Sequence, residues 1–269
     1  MSTPSPEKQK AAEAFVRLLG IMDDLREKCP WDREQTMDSI RTNTIEETYE
    51  LSDAIMRKDM PDIRKELGDL LLHIVFYSKM ADEQKQFDVA DVIHGICDKL
   101  VFRHPHVYGQ TAVDGVSQVL QNWEQLKLKE KDGNRSVLSG VPQSLPALIK
   151  ATRIQEKARG VGFDWEQREQ VWDKVQEELA ELRSEFERGN ADSMEQELGD
   201  FIFSIVNASR LYNLNPETAL ERTNQKFIKR FNYLENKTIK QGRSLKDMTL
   251  AQMDEIWDEA KRLEREGKL

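Results

Sequence analysis

Cysteine is scarce in this chain: Cys29 and Cys97 are the only two among 269 residues, and no CxxC pair occurs. A paired disulfide framework is therefore without support, and the thiol usage fits a reducing cytosol. Long apolar runs are missing as well. No stretch approaches the roughly 18 residues that mark a spanning helix. The N-terminal MSTPSPEKQK carries no apolar signal core, so a cytoplasmic protein with no membrane contact is expected. Alternating β-branched segments and hairpin turns are absent, which removes the sheet folds. So are GxxxxGK[ST], GxSxG and GxGxxG, the marks of P-loop, α/β-hydrolase and dinucleotide-binding chemistry. Positive charge is in deficit. Lys and Arg number 40 against 49 Asp and Glu, and the net −9 argues against a broad electrostatic hold on nucleic acid.

What the chain does have is a short acidic pattern, twice. Residues 46–51 read EETYEL and 66–75 read ELGDLLLHIV; residues 177–182 read EELAEL and 197–206 read ELGDFIFSIV. Both blocks recur at a step of 131 (177 − 46 and 197 − 66), with four of six and six of ten positions identical. A repeat this long is a duplicated domain, since solenoid units run to about 20–50 residues. Glu47 with Glu50, Glu66 with Asp69, Glu178 with Glu181 and Glu197 with Asp200 are each three apart, so each pair projects from one helical face. Leu51, Ile55, Leu67, Leu70, Leu71 and Ile74 interleave in the first copy and set the carboxylates beside a core-facing stripe. Four carboxylates converging from two antiparallel helices repel one another unless a cation joins them, and an all-oxygen set suits Mg²⁺ or Mn²⁺. Such an ion would also admit an anionic substrate despite the net charge.

Helical periodicity places elements at about 9–27, 36–57, 61–82, 88–102 and 116–130, and again at 146–158, 167–188, over the second ELGD block, at 215–240 and at the C-terminus. Pro61 suits a first helical turn, Asp192 with Glu195 and Thr249 with Gln252 suit capping boxes, and Gly189-Asn190 suits a helix end. Gly68 and Gly199, inside each ELGD, are expected to allow close approach to a neighbouring helix or to the metal. The turn-rich stretch 131–146 reads as a linker. The expectation is an all-α protein of two tandem domains, 1–130 and 147–269, each forming part of a helix bundle.

EETYE/ELGD and EELAE/ELGD, together with CPWD, RHPHVYG and NQKFIKRF, resemble the MazG family of nucleoside triphosphate pyrophosphohydrolases. The resemblance extends over nearly the whole chain. It implies Mg²⁺-dependent cleavage of NTPs or dNTPs at the α–β bond to the monophosphate and pyrophosphate, in a homodimer. Carried over position by position, it puts metal ligands at Glu178, Glu181, Glu197 and Asp200, with first-copy counterparts Glu47, Glu50, Glu66 and Asp69. Glu177 is a candidate for orienting the attacking water. Lys174, Lys226, Lys229 and Arg230 are candidate phosphate contacts; Asn224 and Trp257 match further family positions and are candidate nucleotide contacts, with packing of the last helix the alternative for Trp257. Two alternatives stay open: a narrow dUTP or dCTP pyrophosphatase, and a catalytically silent helical regulatory or dimerisation protein.

The copies differ. Aligning NQKFIKRF with CDKLVFRH replaces Asn224 by Cys97 and Lys229 by Phe102, keeps Lys99 and Arg103, and the 131-step replaces Lys174 by Asn43. Counting four cations against two makes the second domain the expected principal catalyst. His104-Pro105-His106 is read as structural, and His73 is not part of a shared site because Ser204 answers it. Neither copy has the Glu-x-x-His pairs of ferritin-like di-iron proteins.

Overall fold

The computed structural model describes residues 5–129, 136–240 and 242–269, and among them there is no strand. The chain divides into two compact units, Met1–Ala112 and Val113–Leu269. The first carries α1 (Pro6–Lys28), α2 (Pro30–Glu34), α3 (Met37–Arg57), α4 (Met60–Glu83), α5 (Val89–Arg103) and α6 (Pro105–Tyr108). The second carries α7 (Gly115–Lys129), α8 (Ala147–Gly160), α9 (Val171–Arg188), α10 (Ala191–Leu211), α11 (Pro216–Lys240) and α12 (Leu250–Arg265). The division falls earlier than position 130: α7 packs on α8 and groups with the second unit. Of the expected linker, residues 131–135 lie outside the described residues, and 136–146 are turns. No described helix is long and apolar enough to cross a membrane.

The repeat is expressed as two helical hairpins, α3–α4 and α9–α10, joined by two-residue turns built alike. Lys58 and Gly189 occupy equivalent positions, and both adopt the left-handed conformation, φ 57° and 74°. Glycine takes that conformation without strain; lysine does so at a cost of about 1 kcal/mol. The next residue caps the following helix in each copy, Asp59 accepting from the Asp62 amide and Asn190 from the Asp192 and Ser193 amides. That corrects the capping box expected at Asp192 and Glu195. The cap lies two residues earlier, because an amide oxygen immediately after a left-handed residue reaches the free N–H groups first. Thr249 and Gln252 do form the expected box on α12.

Three further expectations change. α2 and α6, of five and four residues, lie outside the helices expected above, being too short to show a 3.6-residue period. α9 begins at Val171, after a single 3₁₀ turn at Arg168–Gln170, where 167–188 had been expected to be one helix. A Cβ built on Gly68 or Gly199 meets nothing within 4 Å, so among the described residues no helix packs closely against either glycine.

The first core gathers Met22, Ile40, Val75, Phe76 and Met80, with Phe15, Leu18 and Leu19 of α1 packed against them. In the second unit Val171, Val175 and Ala208 fill the hairpin, and Leu234, Met248 and Ile256 join α11 to α12. Arg210 of α10 holds the turn before α9 through a two-point ion pair with Asp164. Burial pushes the Asp164 carboxyl up, but the hydrogen bonds and charge of Arg210 outweigh it and hold the group below the usual carboxylate range.

Candidate metal centre

The hairpin turn dictates which acidic residues meet. Glu47 and Asp69 stand eleven positions either side of Lys58, and Glu178 and Asp200 eleven positions either side of Gly189. At 3.6 residues per turn each partner is roughly three turns from the tip, so they face one another across the hairpin. Glu66 and Glu197, one turn nearer the tip on the second helix, complete each group. Ligand oxygens of Glu47, Glu66 and Asp69 all lie within 4.8 Å of one another, and those of Glu178, Glu197 and Asp200 do the same. The remaining two expected ligands stay outside these triads. Glu50 is exposed and lies 3.9 Å from Lys65, and Glu181 is exposed but near enough to act on Glu197.

These groups are crowded in the manner a cation relieves. Glu66 is 2% exposed, and its Oε2 has no hydrogen-bond partner. Burial and then the charges of Asp69, Glu50 and Glu66 push the Glu47 carboxyl above its ordinary range. Burial and then Glu181, Asp200, Glu178 and Glu185 do the same to Glu197. An orphaned buried carboxylate oxygen beside carboxyls forced toward protonation is unfavourable on its own and favourable around a divalent ion. The all-carboxylate donor set fits Mg²⁺ or Mn²⁺, which take hard oxygen ligands.

Each cluster also holds one ammonium. In the second copy Lys174 Nζ lies 2.7 Å from Glu178 and 2.9 Å from Glu177, and these partners drive its pKa upward. In the first, Lys65 Nζ lies 2.7 Å from Glu66, 3.8 Å from Asp69 and 3.9 Å from Glu50. Position-by-position comparison missed Lys65, because the repeat has glutamine at 196; its i, i+4 spacing to Asp69 was the available signal. Each cluster therefore carries one lysine, which narrows the difference in cations expected between the copies.

The other expected contacts sit on α11 and α12. Arg230 donates twice to Glu264, at 2.7 and 2.5 Å, and its guanidinium lies 6.0 Å from the Trp257 ring centre. Lys229 donates to the Leu269 carbonyl, and the Asn224 amide to Glu221 at 3.1 Å. Lys226 and Glu177 are exposed. Trp257 is half-buried against the α11–α12 core, 5.0 Å from the Phe227 ring centre. Among the described residues no ion pair links Lys226, Lys229 or Arg230 to the acidic cluster. His104 Nδ1 contacts the Leu100 carbonyl at 2.6 Å, in keeping with the structural reading of that turn. His73 is half-buried with Nδ1 unpartnered, and burial lowers its pKa, favouring the neutral ring.

Comparison with known proteins adds the following. The MazG nucleotide pyrophosphohydrolase domain matches residues 35–108 and again 166–234, so each match contains one hairpin and its acidic cluster. The nucleoside triphosphate pyrophosphohydrolase of Escherichia coli (strain K12) is 43% identical over 255 residues, covering 92% of this chain and 97% of that protein. The nucleoside triphosphate pyrophosphohydrolase/pyrophosphatase MazG of Thermotoga maritima is 41% identical over 256 residues, 94% of this chain and 98% of that protein. The uncharacterized protein YabN of Bacillus subtilis is 42% identical over 266 residues, 97% of this chain but 54% of its own length.

Proposed function

The chain belongs to the MazG nucleotide pyrophosphohydrolase family, and on that footing we propose that it is a Mg²⁺-dependent enzyme cleaving NTPs and dNTPs between the α and β phosphorus atoms. The observation that carries this reading is the recurrence of three carboxylates within 4.8 Å at equivalent places in two hairpins. Glu178, Glu197 and Asp200 would hold the metal in the second copy, with Glu181 beside them, and Glu47, Glu66, Asp69 and Glu50 in the first. A divalent ion held there would supply charge to offset the triphosphate and acidity to activate a water.

The chain's own groups supply the rest. Glu177 is exposed beside Glu178 and accepts from Lys174, so it can orient a water without being a metal ligand. Lys174 carries an ammonium at the cluster itself, and Lys226 offers an exposed one on α11, where Lys229 and Arg230 would have to leave Leu269 and Glu264 to reach the triphosphate. Trp257 presents a half-buried ring and Asn224 an exposed amide for the nucleoside. Residues 147–269 form the principal catalytic domain in this reading, because Asn224 and Lys229 have no counterparts in the first copy.

The test is product identity across a panel of NTPs and dNTPs. Release of pyrophosphate and monophosphate from several bases is expected. Turnover of dUTP or dCTP alone would move the protein to a narrow housecleaning role. Orthophosphate as the sole product, or no turnover of any nucleotide, would overturn the reading.

The functional form in this proposal is a homodimer. Ile55, Leu67 and Leu71 of the first hairpin are exposed, and so are their counterparts Phe186, Leu198 and Ile202. Exposed apolar groups kept at matching places in both hairpins are suited to burial against a second copy of the chain. Sedimentation equilibrium should give a mass near twice the 31.3 kDa of one chain. A monomer at tens of micromolar would remove the dimer.

A further inference from the structure

The two clusters draw their lysine from non-equivalent positions. Gln196 answers Lys65, and Asn43 answers Lys174. Each copy nevertheless places one ammonium 2.7 Å from its most buried carboxylate, Glu66 or Glu178. What differs is the company each lysine keeps. Lys174 has a second partner, Glu177, which is not in the triad, so it can release Glu178 and stay paired. Lys65 is engaged with more of its triad. Two of its three carboxylate partners, Glu66 and Asp69, are triad members, and only the third and most distant, Glu50 at 3.9 Å on the other helix of the hairpin, lies outside it.

We propose that Lys65 is a resident counter-ion that competes with divalent metal for the first cluster, so that this copy binds metal more weakly than its carboxylates alone would. The inference rests on the metal reading above and adds a role for a side chain outside the acidic motif. An ammonium at 2.7–3.9 Å from the same carboxylates repels an incoming dication and must leave the cluster for it to be bound. Its side chain is 62% exposed, so it can move into water without disturbing the core. The Glu66 oxygen that Lys65 does not reach, Oε2, keeps an acceptor free for the metal. The two copies thus come to differ in metal affinity although their triads are built from the same residue types.

The experiment uses the full chain with the second cluster neutralised (Glu178→Gln, Glu197→Gln, Asp200→Asn), and measures Mn²⁺ binding by the EPR signal of the free ion, without nucleotide and at low ionic strength. In that background Lys65→Gln, which installs the residue found at 196, should tighten the Mn²⁺ dissociation constant about tenfold, the scale for removing one partly screened charge a few ångströms away. Lys65→Arg keeps the charge and should stay close to the unsubstituted background. Mn²⁺ binding that Lys65→Gln shifts by less than twofold would overturn the competition while leaving the metal reading intact. Absence of Mn²⁺ binding in both proteins, with helicity preserved by circular dichroism, would overturn both.

Discussion

Glu178→Gln is expected to lower kcat/KM by about a hundredfold or more, whereas Glu47→Gln should leave it within a few fold of the parent. Each substitution removes one carboxylate charge and keeps nearly the same shape, at a residue packed inside a helical hairpin. Folding is therefore expected to survive both. Glu178 is 7% exposed, belongs to its triad and lies 2.7 Å from Lys174, so loss of its charge removes a ligand and leaves Lys174 with Glu177 alone. A transition-state contact of about 3 kcal/mol or more lost in this way corresponds to that hundredfold scale. Glu47 holds the equivalent place, but its copy lacks Asn224 and Lys229 and has Lys65 against three of its carboxylates. Pyrophosphate release on the two variants, with circular dichroism as the folding check, separates the copies. Equal large losses would mean that both clusters work or that they are coupled. Normal activity in folded Glu178→Gln would take this residue out of the mechanism.

Much of this centre was legible before any coordinates. The step of 131 between copies pointed to two matching pairs of helices, but the i, i+3 spacing grouped Glu50 with Glu47 and Glu181 with Glu178, and neither Glu50 nor Glu181 joins its triad. Left-handed closure at Gly189 and the cap on α12 followed from local backbone chemistry that glycine and threonine advertise. Lys58 does not advertise it. Its left-handed turn is imposed by the hairpin it closes, against its own preference.

Long-range pairing was beyond the reach of spacing. Lys226, Lys229 and Arg230 read as one basic face of a helix, yet Arg230 is drawn to Glu264 thirty-four residues later, and Lys229 to the last residue of the chain. Lys65 escaped for a different reason. Comparison between copies finds residues that recur, and a charge supplied from a new position in each copy leaves no such trace. Gly68 and Gly199 recur inside the motif, which suggested helix contact, but among the described residues the space beside each is open.

Dependence on divalent metal is the other large effect expected, because the two triads hold more negative charge than their lysines offset, and a triphosphate would add to it. Raised Glu47 and Glu197, together with the unpartnered Oε2 of Glu66, mark where that charge is uncompensated. The most direct measurement is the rate of pyrophosphate release from a nucleoside triphosphate in excess chelator, followed by titration with Mg²⁺ and separately with Mn²⁺. Turnover should fall to background in chelator, at least a hundredfold below the parent rate if the metal supplies several kcal/mol of charge stabilisation, and either ion should restore it. Undiminished pyrophosphate release in excess chelator, from protein stripped of bound metal, would contradict a metal mechanism at these carboxylates.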